Sequence, residues 1–261
     1  MDELSKVASL DDLHETLQKI NLSLRQTYQT RLRHILRQDT QIAGFAKTLL
    51  LWLTFCFRPL HLRELEHVMA MSTAIAKLSL IHLPDMADII SFCNRLVVMD
   101  PDGNTVQFVD YSIRKFFQEH ISEELPDGKI EITGVCIAYL STDPFSSGKC
   151  RETKLRDRIL EYPLSVYAAE FWVKHAKQGK EKLHISIIDF LSDKKIFDSW
   201  VQILGYIEDQ SSDEMPLDES QSVQTQRMSE RLAACGTPSE AAELLELDLI
   251  ADSLTRLRQR W

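Results

Sequence analysis

Ser146-Ser-Gly148-Lys149-Cys150 is the nearest approach in this chain to a nucleotide-binding motif. A phosphate loop needs two glycines that let the backbone form a nest of N–H donors, then Lys and Ser or Thr for phosphate and magnesium. Position 143 is Asp143 rather than glycine, and position 150 is Cys150 rather than a hydroxyl. The segment therefore predicts no nucleotide site. The eight histidines (His14, His34, His61, His67, His82, His120, His175 and His184) contain no H-x-x-x-H or H-E-x-x-H pair. No cysteine stands at ligand spacing beside them, and most of them read as surface or boundary residues. A Cys-His or Ser-His-Asp site would have to assemble through space, from Cys136 and His120 for example, and no local pattern supports it. The expectation is an chain that is not an enzyme, with no catalytic residue, no metal ligand and no cofactor.

A second kind of chemistry would be contact with nucleic acid. Arg95-Leu-Val-Val-Met-Asp-Pro-Asp-Gly-Asn-Thr-Val-Gln-Phe-Val-Asp110 reads as a hairpin, with a β-branched run, a five-residue turn and an alternating second run. Three helical patterns precede it, so the order is helix, helix, helix, strand, wing, strand, the winged-helix arrangement. Winged helices often place their third helix in the DNA major groove. Here that helix reads Pro84-Asp-Met-Ala-Asp-Ile-Ile-Ser-Phe-Cys-Asn94, with Asp85 and Asp88 near its start and no Lys or Arg before Arg95. The wing adds Asp100 and Asp102. Each carboxylate would repel phosphate, and the formal net charge of -9 points the same way. Nucleic acid is not the expected partner, and packing and protein contact remain for the wing.

The elements that hold these residues are mostly helical. Leu10, Leu13, Leu17, Ile20 and Leu24, then Tyr28, Leu32, Ile35 and Leu36, predict a helix from Leu10 to Arg37, with a solvated face at Arg25, Arg31, Arg33 and Arg37. Gln41 to Phe57 is apolar on most of its circumference and belongs at the centre of a domain. Its greasiest part leaves ten residues between Lys47 and Arg58, against the roughly 20 that cross a bilayer. Arg58-Pro59 stops it. Leu62, Leu65, Val68 and Met69 mark a third helix, and Pro84-Asp85 starts a fourth carrying Met86, Ile89, Ile90 and Cys93.

After the hairpin, Ser112 is placed to cap a helix bearing Ile113, Phe116 and Phe117. Ile132, Val135, Cys136, Tyr139 and Leu140 give another, ended by the breaker cluster from Ser141 to Gly148. A long helix opens at Tyr162-Pro163 and runs to about Lys177, and Ile185 to Leu191 and Ile196 to Leu204 form two shorter ones. From Glu208 to Gln226 apolar residues thin out and acidic ones lack basic partners, which predicts a disordered linker. Helix returns at Met228. With 261 residues, 44% of them hydrophobic, the chain can bury a core. The five scattered cysteines (Cys56, Cys93, Cys136, Cys150 and Cys235) read as reduced thiols of a cytoplasmic or nuclear protein, and the amino terminus lacks a signal-peptide layout.

Leu49-Leu-Leu-Trp-Leu-Thr-Phe-Cys-Phe-Arg-Pro-Leu60 with Leu62-Arg-Glu-Leu65 resembles the winged-helix segment of fungal NACHT proteins, the fungal NOD-like receptors of the signal-transduction ATPase (STAND) class. That segment is also described as a GPI inositol-deacylase-type winged helix, a label that implies no deacylase activity. Phe92-Cys93 before Leu96-Val97-Val98, Tyr111-Ser112 with Phe116-Phe117, Ile137-Ala-Tyr-Leu140, and Tyr162-Pro-Leu164 with Tyr167-Ala-Ala169 and Trp172 extend the likeness in order. Ser23-Leu-Arg-Gln-Thr-Tyr28 resembles the helical end of a NACHT module. Thr237-Pro238-Ser-Glu-Ala241-Ala242 followed by Asp248-Leu249-Ile250 looks like the start of an ankyrin repeat with Ser239-Glu240 in place of Leu-His. A single repeat cannot bury its own faces, which leaves a degenerate remnant, a cap docked on the preceding helices, or a bare helical hairpin.

The resemblance implies a histidine after the second wing strand that senses ADP. This chain has Asp110 there, and a carboxylate would repel a diphosphate. Lys115 stands where a Glu or Gln would complete a capping box with Ser112. The resulting plan is mainly α: residues 1–38 an N-terminal helical segment resembling the end of a NACHT module, 39–120 a winged helix, 121–207 a helical bundle, 208–226 an acidic disordered linker, and 227–261 degenerate ankyrin-like helices. The expected role is a non-enzymatic regulatory module that binds a protein partner, such as a NACHT- or ankyrin-bearing protein, through helical faces, without a membrane. The alternative is a nuclear transcriptional co-regulator, of a fungal gene cluster for example, acting either directly on DNA or, as the acidic wing favours, through a partner.

Overall fold

The computed structural model describes residues 10–72, 83–124, 127–177, 183–213 and 228–247. In chain order the elements are α1 (Leu10–Leu36), α2 (Thr40–Phe55), α3 (Leu62–Ser72), α4 (Met86–Phe92), β1 (Val97–Met99), β2 (Val106–Phe108), α5 (Tyr111–Glu124), α6 (Gly128–Leu140), α7 (Asp143–Ser146), α8 (Glu152–Glu161), α9 (Leu164–Ala176), α10 (His184–Ser192), α11 (Lys194–Asp213), α12 (Met228–Ala234) and α13 (Pro238–Leu244). The fold is mainly helical, and its described residues contain one two-stranded antiparallel sheet. No helix among them is long and apolar enough to cross a membrane.

The chain divides into two compact units, Met1–Leu62 with Pro84–Pro126, and Arg63–Leu83 with Asp127–Trp261. This grouping differs from the division read in the sequence in two ways. First, α1 shares a unit with α2, the hairpin and α5. Its Tyr28 hydroxyl meets Ser112 Oγ at 2.7 Å, its Tyr28 ring lies 5.5 Å from that of Phe116, and Arg25 pairs with Glu119 at 3.1 Å. Second, α3 belongs from Arg63 onward to the other unit, where His67 Nδ1 lies 2.8 Å from the Tyr139 hydroxyl of α6.

In the first unit α2 is the central helix. Leu49, Leu50, Leu51, Trp52 and Leu53 are all buried, as an apolar circumference requires. Each such side chain contributes roughly 1.5–3 kcal/mol relative to an exposed one. Asp39 caps its start by accepting the Gln41 N–H at 2.9 Å. Its end is closed by α5: Gln118 Nε2 donates to the Thr54 carbonyl at 3.4 Å and Arg114 Nη2 to that of Cys56 at 3.1 Å. The next short helix, α4, starts two residues later than the reading with Pro84 at its first position, with Asp85 as its extended cap residue. It ends in Asn94 and Arg95, two consecutive residues at positive φ, 47° and 60°. These turn the chain so that buried Leu96 and Val97 enter the core.

The hairpin forms where the turn chemistry puts it. Val97 faces Phe108, Val98 faces Gln107 and Met99 faces Val106, while Gly103 takes φ +69° in the turn. A further bridge, absent from the sequence reading, joins His61 to Thr105, and the Leu62 N–H donates to the Asn104 carbonyl at 2.8 Å. The segment between α2 and α3 thereby touches the outer edge of β2.

In the second unit α6 packs along α9, and Trp172, Phe190 and Trp200 form an aromatic centre with ring separations of 5.3–5.7 Å. The Trp200 indole donates to the Ala169 carbonyl at 3.0 Å. Helix α8 was not visible in the sequence pattern. Helix α11 also corrects the acidic-linker reading, because Glu208 through Asp213 are helical. The Glu208 carboxylate accepts the Ser229 N–H at 3.2 Å and also meets the Ser229 hydroxyl, so this acid is engaged at the start of α12. The remainder of the expected linker, 214–226, lies outside the described residues, as does Asp248-Leu249-Ile250. Helices α12 and α13 pack on α11 and α10 respectively, and Thr237 caps α13 through the Glu240 N–H at 3.2 Å.

Candidate functional site

The residues that imitate a phosphate loop are engaged within the fold. The Gly148 N–H donates to the Phe145 carbonyl at 3.0 Å. Gln202 clamps Cys150, its Oε1 accepting the Cys150 N–H at 3.0 Å and its Nε2 donating to the Cys150 carbonyl at 2.7 Å. Arg158 Nη1 bridges the Gly148 carbonyl and Ser199 Oγ, at 3.0 and 3.1 Å. The Gly148 and Cys150 N–H donors are thus already used within the fold.

Two histidines depart from the surface reading. His67 and His175 are buried, each against a tyrosine hydroxyl. His175 Nε2 lies 2.9 Å from the Tyr167 hydroxyl, and burial, with the Lys129 charge second, pushes its pKa down to about 4. Burial and then Arg63 lower that of His67. The sequence signal for both pairs was weak, since Tyr139 lies 72 positions from its histidine and a Tyr at i-8 is a common core pattern. Cys136 and His120 fall in different units, and burial pushes the Cys136 thiol up, away from the reactive thiolate. Among the described residues no three His, Cys, Asp or Glu side chains gather as a metal site.

What the structure does assemble is a cavity of about 300 Å³ beside the wing, wholly within the first unit. Leu53, Cys56 and Pro59 come from the end of α2 and its exit. Asp100, Thr105, Val106, Gln107 and Phe108 come from the hairpin, and Asp110, Tyr111 and Arg114 from the start of α5. Asp110, singled out as the replacement for a histidine, therefore does line a cavity. It is also the N-cap of α5, a role the sequence reading gave to Ser112. Helix α5 starts at Tyr111, so Ser112 lies inside it and donates its N–H to Asp110 Oδ1 at 2.6 Å. Those hydrogen bonds from Ser112 hold the Asp110 carboxyl below the usual carboxylate range and keep it charged at neutral pH. Arg114 and Pro59 were not flagged by the sequence, where each looked like a helix residue or a helix stop.

The segments that line this cavity also expose apolar side chains. Tyr111 is 77% exposed, Val109 57%, Phe57 44% and Val98 41%. Tyr111 is part of the lining, Val109 and Phe57 are chain neighbours of lining residues, and Val98 sits opposite Gln107 in the ladder. Asp85, Asp88 and Asp102 are exposed on α4 and the wing.

The order α2, α3, α4, β1, wing, β2, with the His61–Thr105 bridge, agrees with a comparison of the sequence. Residues 33–127 match the family described as GPI inositol-deacylase, winged helix domain. This stretch is a winged-helix domain. Beyond it, the chain is 26% identical over 219 residues to azaphilone pigments biosynthesis cluster protein L of Monascus ruber. That alignment covers 74% of this chain and 42% of the relative, so the chain spans less than half the length of the curated protein it matches. No solved structure matches it.

Proposed function

We propose that the chain is a non-enzymatic regulatory module, related to NACHT and ankyrin signalling proteins, whose winged-helix domain binds a protein partner in the cytoplasm or nucleus. The observation that carries this reading is the exposed set Phe57, Val98, Val109 and Tyr111 on the exit of α2, the hairpin and the start of α5, the segments that also line the wing cavity. Exposed apolar side chains scattered singly need no explanation, whereas a group around one concave feature marks a contact surface. The acidic wing and α4 favour protein over nucleic acid as the partner. Asp110 in place of an ADP-sensing histidine favours a role without the nucleotide contact of the NACHT relatives. Affinity capture of the full chain from its native cells, followed by reconstitution of each captured protein with purified chain, tests the reading. A partner that reconstitutes supports it. Failure of every captured protein to reconstitute, or ATP hydrolysis abolished by substitutions within this chain, overturns it.

A second reading, a nuclear co-regulator of a biosynthetic gene cluster, is favoured by the name of the Monascus relative, a biosynthesis cluster protein. It is compatible with the first where the partner is itself a regulator. Enrichment of the chain at cluster promoters, lost when the partner is removed, would support it.

A further inference from the structure

We infer that the wing cavity is a docking site for a lysine or arginine side chain carried by an extended segment of a protein partner. This rests on the protein-binding reading and specifies its surface. Asp100 donates its N–H to the Thr105 carbonyl at 2.9 Å and Val109 donates to the Leu96 carbonyl at 3.0 Å. In an antiparallel pair such residues alternate with ones whose N–H and C=O point the other way. Thr105, Gln107 and Val109 therefore turn toward β1, and Val106 and Phe108 turn their backbone groups toward the outer edge of β2. Among the described residues that edge is bridged to the segment before α3 at His61–Thr105, beside the Leu62 N–H bond to the Asn104 carbonyl. Continuing the antiparallel register past that bridge places Pro59 opposite Gln107. The cavity lies between the two segments, lined by Pro59 and Cys56 on one side and Val106 to Phe108 on the other.

Charge selects the occupant. The lining contains the Asp100 and Asp110 carboxylates and the Arg114 guanidinium. Arg114 faces inward: its Nη2 donates to the Cys56 carbonyl at the negative end of α2, and its Nε is enclosed without a partner. The Asp100 carboxylate and the outward carbonyls of the β2 edge are left as acceptors, and Asp110, already engaged by Ser112, adds negative charge, which complements a cation. Leu53, Phe108 and exposed Tyr111 supply the apolar and aromatic surface along which a lysine or arginine stem lies, with its charge near the ring face and carboxylates. A volume of about 300 Å³ holds one long side chain and stands at the lower limit for small-molecule pockets. The free edge of β2 recognises the flanking main chain of an extended segment.

The test uses the full chain and two labelled decapeptides, one alternating lysine with valine and one alternating glutamate with valine, read by fluorescence anisotropy and by hydrogen exchange. The lysine peptide is expected to bind saturably below about 1 mM, with slowed exchange across residues 105–114. The glutamate peptide is expected to bind at least about tenfold more weakly. Asp100→Lys, at a half-buried position of the lining, and Tyr111→Ala, at an exposed one, are each expected to weaken the lysine peptide by about tenfold or more while thermal unfolding is unchanged. Equal or tighter binding of the glutamate peptide overturns the assignment, and so does absent binding of the lysine peptide or binding that neither substitution alters. Protection at a self-association interface in place of residues 105–114 also overturns it. Because the titration needs no natural partner, its failure removes the cavity assignment alone, whereas failed reconstitution removes the broader interaction reading.

Discussion

The Asp110 carboxylate accepts the Ser112 N–H at 2.6 Å, which makes Asp110 the N-cap of α5. A residue that looks in the sequence like the loss of a nucleotide sensor is therefore a gain for the local fold. Asp110→Ala leaves the first-turn donors of α5 uncapped and lowers the thermal midpoint, while Asp110→Asn keeps an acceptor and lowers it less. The pH dependence has a definite sign. The folded pKa lies below the usual 3.8, so the contribution is full above that value and is lost as pH falls through the lower folded value. The gap between parent and Asp110→Ala midpoints accordingly narrows only in strong acid.

His175 makes the second unit acid-sensitive. Its folded pKa of about 4 lies below the usual 6.5, so the unfolded chain binds more protons between these values. Stability is full above about 6.5 and declines toward pH 4, by up to about 3 kcal/mol from this residue. Urea unfolding of the full chain at several pH values measures the slope. A Tyr167→Phe, His175→Phe pair, which removes both polar partners together, flattens it.

Arg114 ties the wing cavity to α2. Arg114→Met leaves the Cys56 carbonyl without its charged donor and destabilises the first unit by about 1–3 kcal/mol. Arg114→Lys recovers part of this, since the charge remains but the fork geometry does not. Thermal unfolding, with the second unit as internal reference, distinguishes these outcomes.

Gln202 performs the equivalent task in the second unit, holding both backbone groups of Cys150. Gln202→Ala costs about 1–3 kcal/mol. Gln202→Glu is no better, because a carboxylate cannot donate to the Cys150 carbonyl. Faster hydrogen exchange at residues 147–151 in both variants is the corresponding local readout.

Direct DNA binding is predicted to be absent. With Asp85, Asp88 and Asp102 exposed on α4 and the wing, the chain should pass through a duplex-DNA column at about 50 mM salt, where phosphate contacts are strongest. Retention that weakens steeply with salt would revive the direct form of the co-regulator reading.

Local chemistry made some of this architecture readable in the sequence. The Asp-Pro-Asp-Gly-Asn turn between two apolar runs defined the hairpin, and the Leu49–Phe57 run defined the central helix. Helix α8 escaped because only Leu155 and Ile159 are buried among its charged residues. The end of α11 escaped because Glu208 looks like a solvated linker residue until Ser229, 21 positions away, is brought against it. The cavity escaped for the same reason on a larger scale. Pro59, the outer edge of β2, and Arg114 come from three separate segments, and none carries a motif alone.

The most direct measurement is hydrogen exchange across the full chain with and without a reconstituted protein partner. The account predicts slowed exchange in residues 105–114, covering β2, Asp110, Tyr111 and Arg114. Unchanged exchange there, with protection confined to α12 and α13 or to the second unit, would contradict it.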